Sequence, residues 1–160
     1  MNQMLLILAC VAALITLPAC TAVSAAAPDS TTAVNRFGSE LYRSIGGGEE
    51  NVFYSAYSIH SALAMTLAGA RGQTADQMEK VLHVGDADTA AQGDKDLAEH
   101  LRNVRQRHGF ELNIANSLWG EQSINYRPEF TTILKDRYGS ELFEVDYKTA
   151  AESARGRINK

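Results

Sequence analysis

Residues 51–74 read NVFYSAYSIHSALAMTLAGARGQT, and their order decides what the rest of the chain can be. Asn51 to Ser55 is a short run of β type. Ser55 is placed to cap the helix that follows, since its hydroxyl can accept from a backbone N–H of the first turn. That leaves Ala56 at the first helical position, a slot that suits proline. Ile59 to Ala70 is apolar almost all round, with Ala62, Ala64, Ala68 and Gly69 among Leu63, Met65 and Leu67. A helix of that composition is expected to be buried on every side, its small residues letting other backbone come close. Arg71-Gly72-Gln73 is the turn out, and Thr74-Ala75-Asp76-Gln77 fits a capping box for a second helix.

Toward the N-terminus, Val34, Phe37, Leu41 and Ile45 recur at helical spacing and Gly46-Gly47-Gly48 ends the pattern. Thr21 to Thr32 is rich in Ala, Ser and Thr and reads as a flexible tether, so that folding is expected to begin near Ala33. Residues 1–28 carry no charged side chain. Met4 to Ala19 is a 16-residue apolar run, short of the roughly 20 that a bilayer span needs and suited to a signal peptide. Leu17-Pro18-Ala19-Cys20 follows and resembles the bacterial lipobox, in which the cysteine becomes a lipidated N-terminus. The expectation is a lipoprotein-type signal over residues 1–20, lipidation at Cys20, and an exported protein held at the outer membrane or cell surface. Cleavage near Val23-Ser24-Ala25, giving a soluble secreted protein, is the alternative. Beyond Cys10 and Cys20 the chain has no cysteine, so disulfide and thiol chemistry are absent from the folding part.

Toward the C-terminus, Met78, Val81 and Leu82 form an inner stripe that exits at His83 and Gly85. Asp86 to Asp94 reads as a polar loop, and Leu97, Leu101 and Val104 as another helix ending before Gly109. Phe110, Leu112, Ile114 and Leu118 alternate with Glu111, Asn113, Ala115 and Ser117, which predicts a strand with unlike faces. Pro128 opens a helix carrying Phe130, Ile133, Leu134 and Tyr138, and a second strand runs from Leu142 to Tyr147. Thr149-Ala150-Ala151-Glu152 is a second capping box, for a helix with Ala154 and Ile158 at i and i+4. That helix meets the chain end with no cap, which is read as an interrupted element.

No enzyme chemistry emerges from these residues. There is no Gly-x-Ser-x-Gly elbow, and Gly46-Gly47-Gly48 precedes Glu49-Glu50, which would repel phosphate. His60, His83, His100 and His108 lack metal-ligand spacing. Asp86-Ala87-Asp88 begins like a calcium loop, but Ala91 and Leu97 stand where glycine and glutamate are needed. A net charge of −4 over 160 residues gives no basic field for nucleic acid. Trp119 and Tyr126 read as core or rim aromatics rather than as a recognition pair. Neither metal nor cofactor is expected.

Taken together, Asn51-Val52-Phe53, Ser58-Ile59, Ala62 to Met65, Gly69 to Gly72 and Thr74 resemble the N-terminal signature of the serpins, the suicide-type inhibitors of serine and some cysteine proteases. Ile114-Ala115-Asn116, Leu118, Tyr138-Gly139, Val145-Asp146 and Ile158-Asn159-Lys160 continue the match in order. Ala56 departs from the proline that the family usually carries. The resemblance implies an α+β fold, the N-terminal helical part of the serpin fold with the first strands of its sheets, truncated, over residues 33–160. It implies that Ser55 and Ser58 are the serines of the shutter, which lies under the sheet strands that part when the reactive loop inserts. The reactive centre, near the C-terminus of a serpin, is absent from these residues. The implied function is inhibition of a serine or cysteine protease through that missing loop. The alternative is a non-inhibitory serpin-like surface module or inactive fragment. The strands would be left with open edges, so the 160 residues are expected to fold marginally and to aggregate.

Overall fold

The computed structural model describes residues 29–46, 51–108 and 111–159. The leader, Cys20, residues 21–28 of the tether, Gly109 and Phe110 lie outside the described residues. Among the described residues, six helices and two strands follow one another: α1 Ser30–Ile45, α2 Ala56–Gly69, α3 Gln73–Leu82, α4 Ala87–His108, β1 Ser117–Glu121, α5 Pro128–Tyr138, β2 Glu141–Val145 and α6 Ala151–Ile158. The α+β expectation is met by a helix-rich body with one two-stranded sheet.

Side-chain caps decide where several helices start. The Asp29 carboxylate accepts from the Thr32 N–H at 2.7 Å, so α1 begins at Ser30 and takes in the last three residues read as tether. The Asp86 carboxylate accepts from the Thr89 N–H at 2.7 Å and starts α4. The segment 86–94, expected to be a polar loop, is therefore the first turns of a 22-residue helix. Its Ala90, Ala91 and Asp94 turn inward ahead of Leu97, Leu101 and Val104.

Both predicted capping boxes are displaced. Gly72, at φ +57°, forms the N-cap of α3, and Thr74 lies within the helix. A residue with a Cβ would resist that backbone conformation, so glycine rather than the threonine hydroxyl sets the start. At α6 the N-cap is Ala150. Thr149 is held instead by Asp146, whose carboxylate accepts both its N–H and its hydroxyl. In α3 the inner stripe is Ala75, Met78 and Leu82, while Val81 is 56% exposed.

The core gathers Phe37 of α1, Ala64 and Leu67 of α2, Leu82 of α3 and Ala90 of α4. Helices α1 and α2 come closest at Gly38, where a Cβ would lie 2.6 Å from that of Ala56. The Tyr54 hydroxyl donates to the Gly38 carbonyl at 2.7 Å and holds the approach from the side.

The sheet pairs β1 and β2 in parallel, with Ser117 opposite Glu141 and Glu121 opposite Val145. Parallel neighbours need a crossover, and α5 supplies it. Each strand has one partner, so each keeps an open outer edge among the described residues. Residues 111–118 alternate between exposed and half-buried as their pattern predicts, but ladder pairing starts only at Ser117. Asn51–Ser55 is likewise not in a strand, and Phe53 is fully exposed. Strand-type residues make a strand only where a second backbone meets them, and none among the described residues meets these two runs. Trp119 stacks on Phe143 with ring centroids 4.8 Å apart, and the Arg157 guanidinium lies over its ring at 5.5 Å. Both aromatics read from the sequence thus sit at the sheet: Tyr126 packs over Gly120, where a Cβ would lie 2.2 Å from its hydroxyl.

Candidate functional site

Helix α2 organises the chemistry of the chain, with one open face and one face turned into the core. Ser55 caps it, its Oγ accepting from the Ser58 N–H at 3.2 Å and from the Ser58 hydroxyl at 3.0 Å. The two serines named from the sequence are thus brought into direct contact. They are exposed, however, and satisfy one another without being buried.

The open face corrects the expectation of a helix buried all round. Helices α1, α3, α4 and α5 all pack on one side of α2. Ser58, Ala62, Thr66 and Gly69, spaced i, i+4, i+8 and i+11, are left outward beside Leu63. The result is a flat stripe of small side chains headed by the serine pair.

The inner face carries a polar cluster that sequence reasoning missed. His60 is 1% exposed and Asp94 3% exposed. The His60 Nε2–H donates to the Leu82 carbonyl at 3.0 Å, which ties the middle of α2 to the end of α3. A carbonyl can only accept, so Nε2 carries a proton and Nδ1 is the nitrogen facing Asp94, 3.8 Å from its Oδ1. The edge of the same ring meets Phe37, with centroids 5.6 Å apart. Both Asp94 oxygens, the Tyr138 hydroxyl and the Ser140 hydroxyl are buried with no hydrogen-bond partner among the described residues. Burial first, and then the Asp94 charge, push the Tyr138 phenol well above its ordinary range. The same two causes, in the same order, raise Tyr57. Beside this cluster Asn116 donates to the Ser61 Oγ at 3.3 Å and fastens the segment leading into β1 onto α2.

His60 was visible as the one imidazole within an apolar helix. Asp94 was not, because its segment read as a loop. The other histidines are set apart from this cluster where their surroundings are described. His83 ends α3 and contacts the Glu40 carboxylate at 2.8 Å, which lowers the Glu40 pKa. Among the described residues no three His, Cys, Asp or Glu side chains stand close enough to hold a metal ion. No helix among them is long and apolar enough to cross a membrane.

Known proteins resemble this chain in sequence and fold. The family profile described as "Serpin (serine protease inhibitor)" matches residues 32–160. A leukocyte elastase inhibitor of Xenopus tropicalis is 37% identical over 131 residues, covering 81% of this chain and 34% of that protein. An uncharacterised serpin-like protein of Thermococcus kodakarensis is 39% identical over 125 residues, covering 77% of this chain and 29% of its own length. Among solved structures, emu ovalbumin superposes with a TM-score of 0.71 at 28% identity, over 82% of this chain and 38% of that one. An Arabidopsis serpin in its native stressed conformation shares the fold at the same TM-score and 23% identity, over 82% of this chain and 35% of that one. The chain spans about a third of the length of the curated relatives it matches.

Proposed function

Because this chain belongs to the serpin family, we infer that the protein carrying these residues is a serine-type endopeptidase inhibitor of the suicide type and not an enzyme. In that mechanism a protease cleaves an exposed bait loop and is held as an acyl-enzyme. The loop then inserts as a new sheet strand and distorts the protease, a process of strand addition and strain release. The 160 residues supply frame for it. On this reading the bait loop, the scissile bond and most of the sheets belong to the two thirds of the family's length not represented here.

The observation that carries the reading is the open face of α2, where the Ser55–Ser58 pair heads a stripe of small residues. Sheet strands that part and reclose need a smooth surface beneath them, with a polar contact that can change partners. Two exposed hydroxyls bonded only to each other and to one backbone N–H have acceptor capacity to spare. Ser55 and Ser58 are thus assigned as shutter residues, and the cap and shutter roles coexist.

The test compares two lengths. The protein expressed from its complete reading frame is expected to form an SDS-stable complex with a serine protease. The 160 residues alone are expected to form none with trypsin-, chymotrypsin- or elastase-type enzymes. A covalent complex with the short chain, or none with the complete protein across a broad panel, would refute the assignment.

The second part of the proposal concerns location. We place the mature N-terminus at Cys20, lipidated and anchored to a membrane, with the protease target outside the cytoplasm. The support is the uncharged apolar run of residues 4–19 and the Leu17–Cys20 tetrapeptide. Labelled palmitate is expected to enter the wild-type chain and to be lost in Cys20→Ala. Incorporation that persists in the variant would rule out Cys20 as the acceptor, and none in the wild type would leave the secreted alternative.

A further inference from the structure

Behind the inner face of α2 lies a cavity of about 290 Å³, reached between α4, the segment leading into β1 and the end of α5. Its walls carry charges of both signs. Asp94 and Ser61, each nearly fully buried, and the unpartnered Tyr138 hydroxyl line it. Tyr57 adds an aromatic wall, and Arg102 and Arg137, both exposed, line it as well, Arg137 also donating to the Gln92 side chain.

Each end asks for a different ligand group. Asp94 offers two acceptor oxygens that no donor among the described residues meets. An ammonium brings three N–H donors and the opposite charge, and loses little hydrogen bonding by leaving water for such a site. A plain amine, however, would have to sit beside the guanidinium groups of Arg102 and Arg137. A carboxylate on the far end of the same molecule turns those groups from repulsive neighbours into partners. The cavity stands at the lower end of the roughly 300–1,000 Å³ usual for ligand pockets, which limits the occupant to a short chain.

We propose that this cavity binds a small zwitterionic amino acid, its ammonium directed to Asp94 and Tyr138 and its carboxylate to Arg102 and Arg137. The raised Tyr57 and Tyr138 phenols stay protonated at neutral pH, so neither adds a second negative charge beside Asp94. The occupant would bridge α4 to the end of α5. It would stiffen the support of the sheet crossover without touching the open face of α2.

Calorimetric titration of the full chain at neutral pH with 5-aminopentanoate, pentylamine and pentanoate tests this. The zwitterion is expected to bind about tenfold or more tighter than either single-charge analogue, and Asp94→Asn to lose at least that factor. Arg102→Ala should weaken the zwitterion and leave pentylamine no weaker than before. Ala98→Leu fills the cavity from α4 without altering a charge and should abolish binding, which keeps the test open if Asp94→Asn fails to fold. Equal binding of pentanoate, no heat from any of the three compounds, or unchanged binding in Ala98→Leu would overturn the proposal. So would zwitterion binding that Arg102→Ala leaves unchanged.

Discussion

Replacing His60 by alanine is expected to destabilise the fold by about 3–5 kcal/mol, the range for deleting a large ring from a packed core, because the ring is 1% exposed and also satisfies a buried carbonyl. The imidazole does three things at once in the structure. Its Nε2–H satisfies the Leu82 carbonyl, its Nδ1 faces the Asp94 carboxylate at 3.8 Å, and its ring fills space against Phe37. Alanine leaves a void, an unmet carbonyl and a buried carboxylate without its nearest polar neighbour. These losses can be separated. Asp94→Asn removes the charge and keeps the shape, so a His60→Ala/Asp94→Asn double variant is expected to recover a large part of the deficit. The remainder is the void and the carbonyl. Urea unfolding of the four proteins, followed by far-UV circular dichroism, measures the coupling directly. If the two substitutions simply add, the pair is not energetically linked and the 3.8 Å approach carries no electrostatic weight.

Leu67→Ala is the second large effect, a loss of about 2–5 kcal/mol, because the leucine is fully buried and its site is walled by rigid helix faces. Phe37, Ala64, Leu82 and Ala90 surround it from four helices. None of those helices can close inward without giving up its contacts with the others, so collapse around the missing methyl groups is limited. The control is Leu63, one turn earlier on α2 and 37% exposed at the rim of the open face. Its replacement by alanine is expected to change stability by about 0.5 kcal/mol or less, as at other surface positions. Similar losses at the two positions would show that the outer face of α2 is covered as the sequence first suggested.

The two leucines also mark where the sequence stops being informative. Their helix was legible from composition, its start from Ser55 and its exit from Gly72. What composition did not carry was which side would be covered, since a helix apolar all round has no stripe to read. The same loss of contrast hid α4. Asp86, Asp88, Asp94 and Asp96 made its first half look solvated, although Asp86 is an N-cap and Asp94 points into the core. A buried aspartate breaks hydrophobic periodicity in the way a loop does, and only its partner tells the two apart. The capping boxes failed for a different reason. Thr74 and Thr149 had the right residue three positions downstream, but a glycine at positive φ caps α3, and Asp146 engages Thr149 so that the N-cap of α6 is Ala150, with no side-chain cap. The β1 pattern gave the alternation correctly and the paired length wrongly, because pairing depends on β2 and not on the strand itself. Of the site, Ser55 and Ser58 were found through a cap rule and a family pattern. The His60–Asp94 pair, separated by 34 positions and one intervening helix, needed the fold.

The order in which the core is spelled out along the chain matters for how the protein is born. Phe37, Ala64, Leu67, Leu82 and Ala90, the five residues at its centre, have all been synthesised by position 90. The parallel partner of β1 begins at Glu141, 51 residues later. At about 5–20 residues per second on the ribosome, that interval is roughly 3–10 s. Helices and their local packing settle in far less time. The helical nucleus can therefore close while β1 is still a lone strand with both edges bare. For the last 20 of those 51 residues, from Glu121 to Glu141, the nascent protein presents a finished core beside an unfinished sheet, and that unpaired strand is the element most in need of shelter during translation.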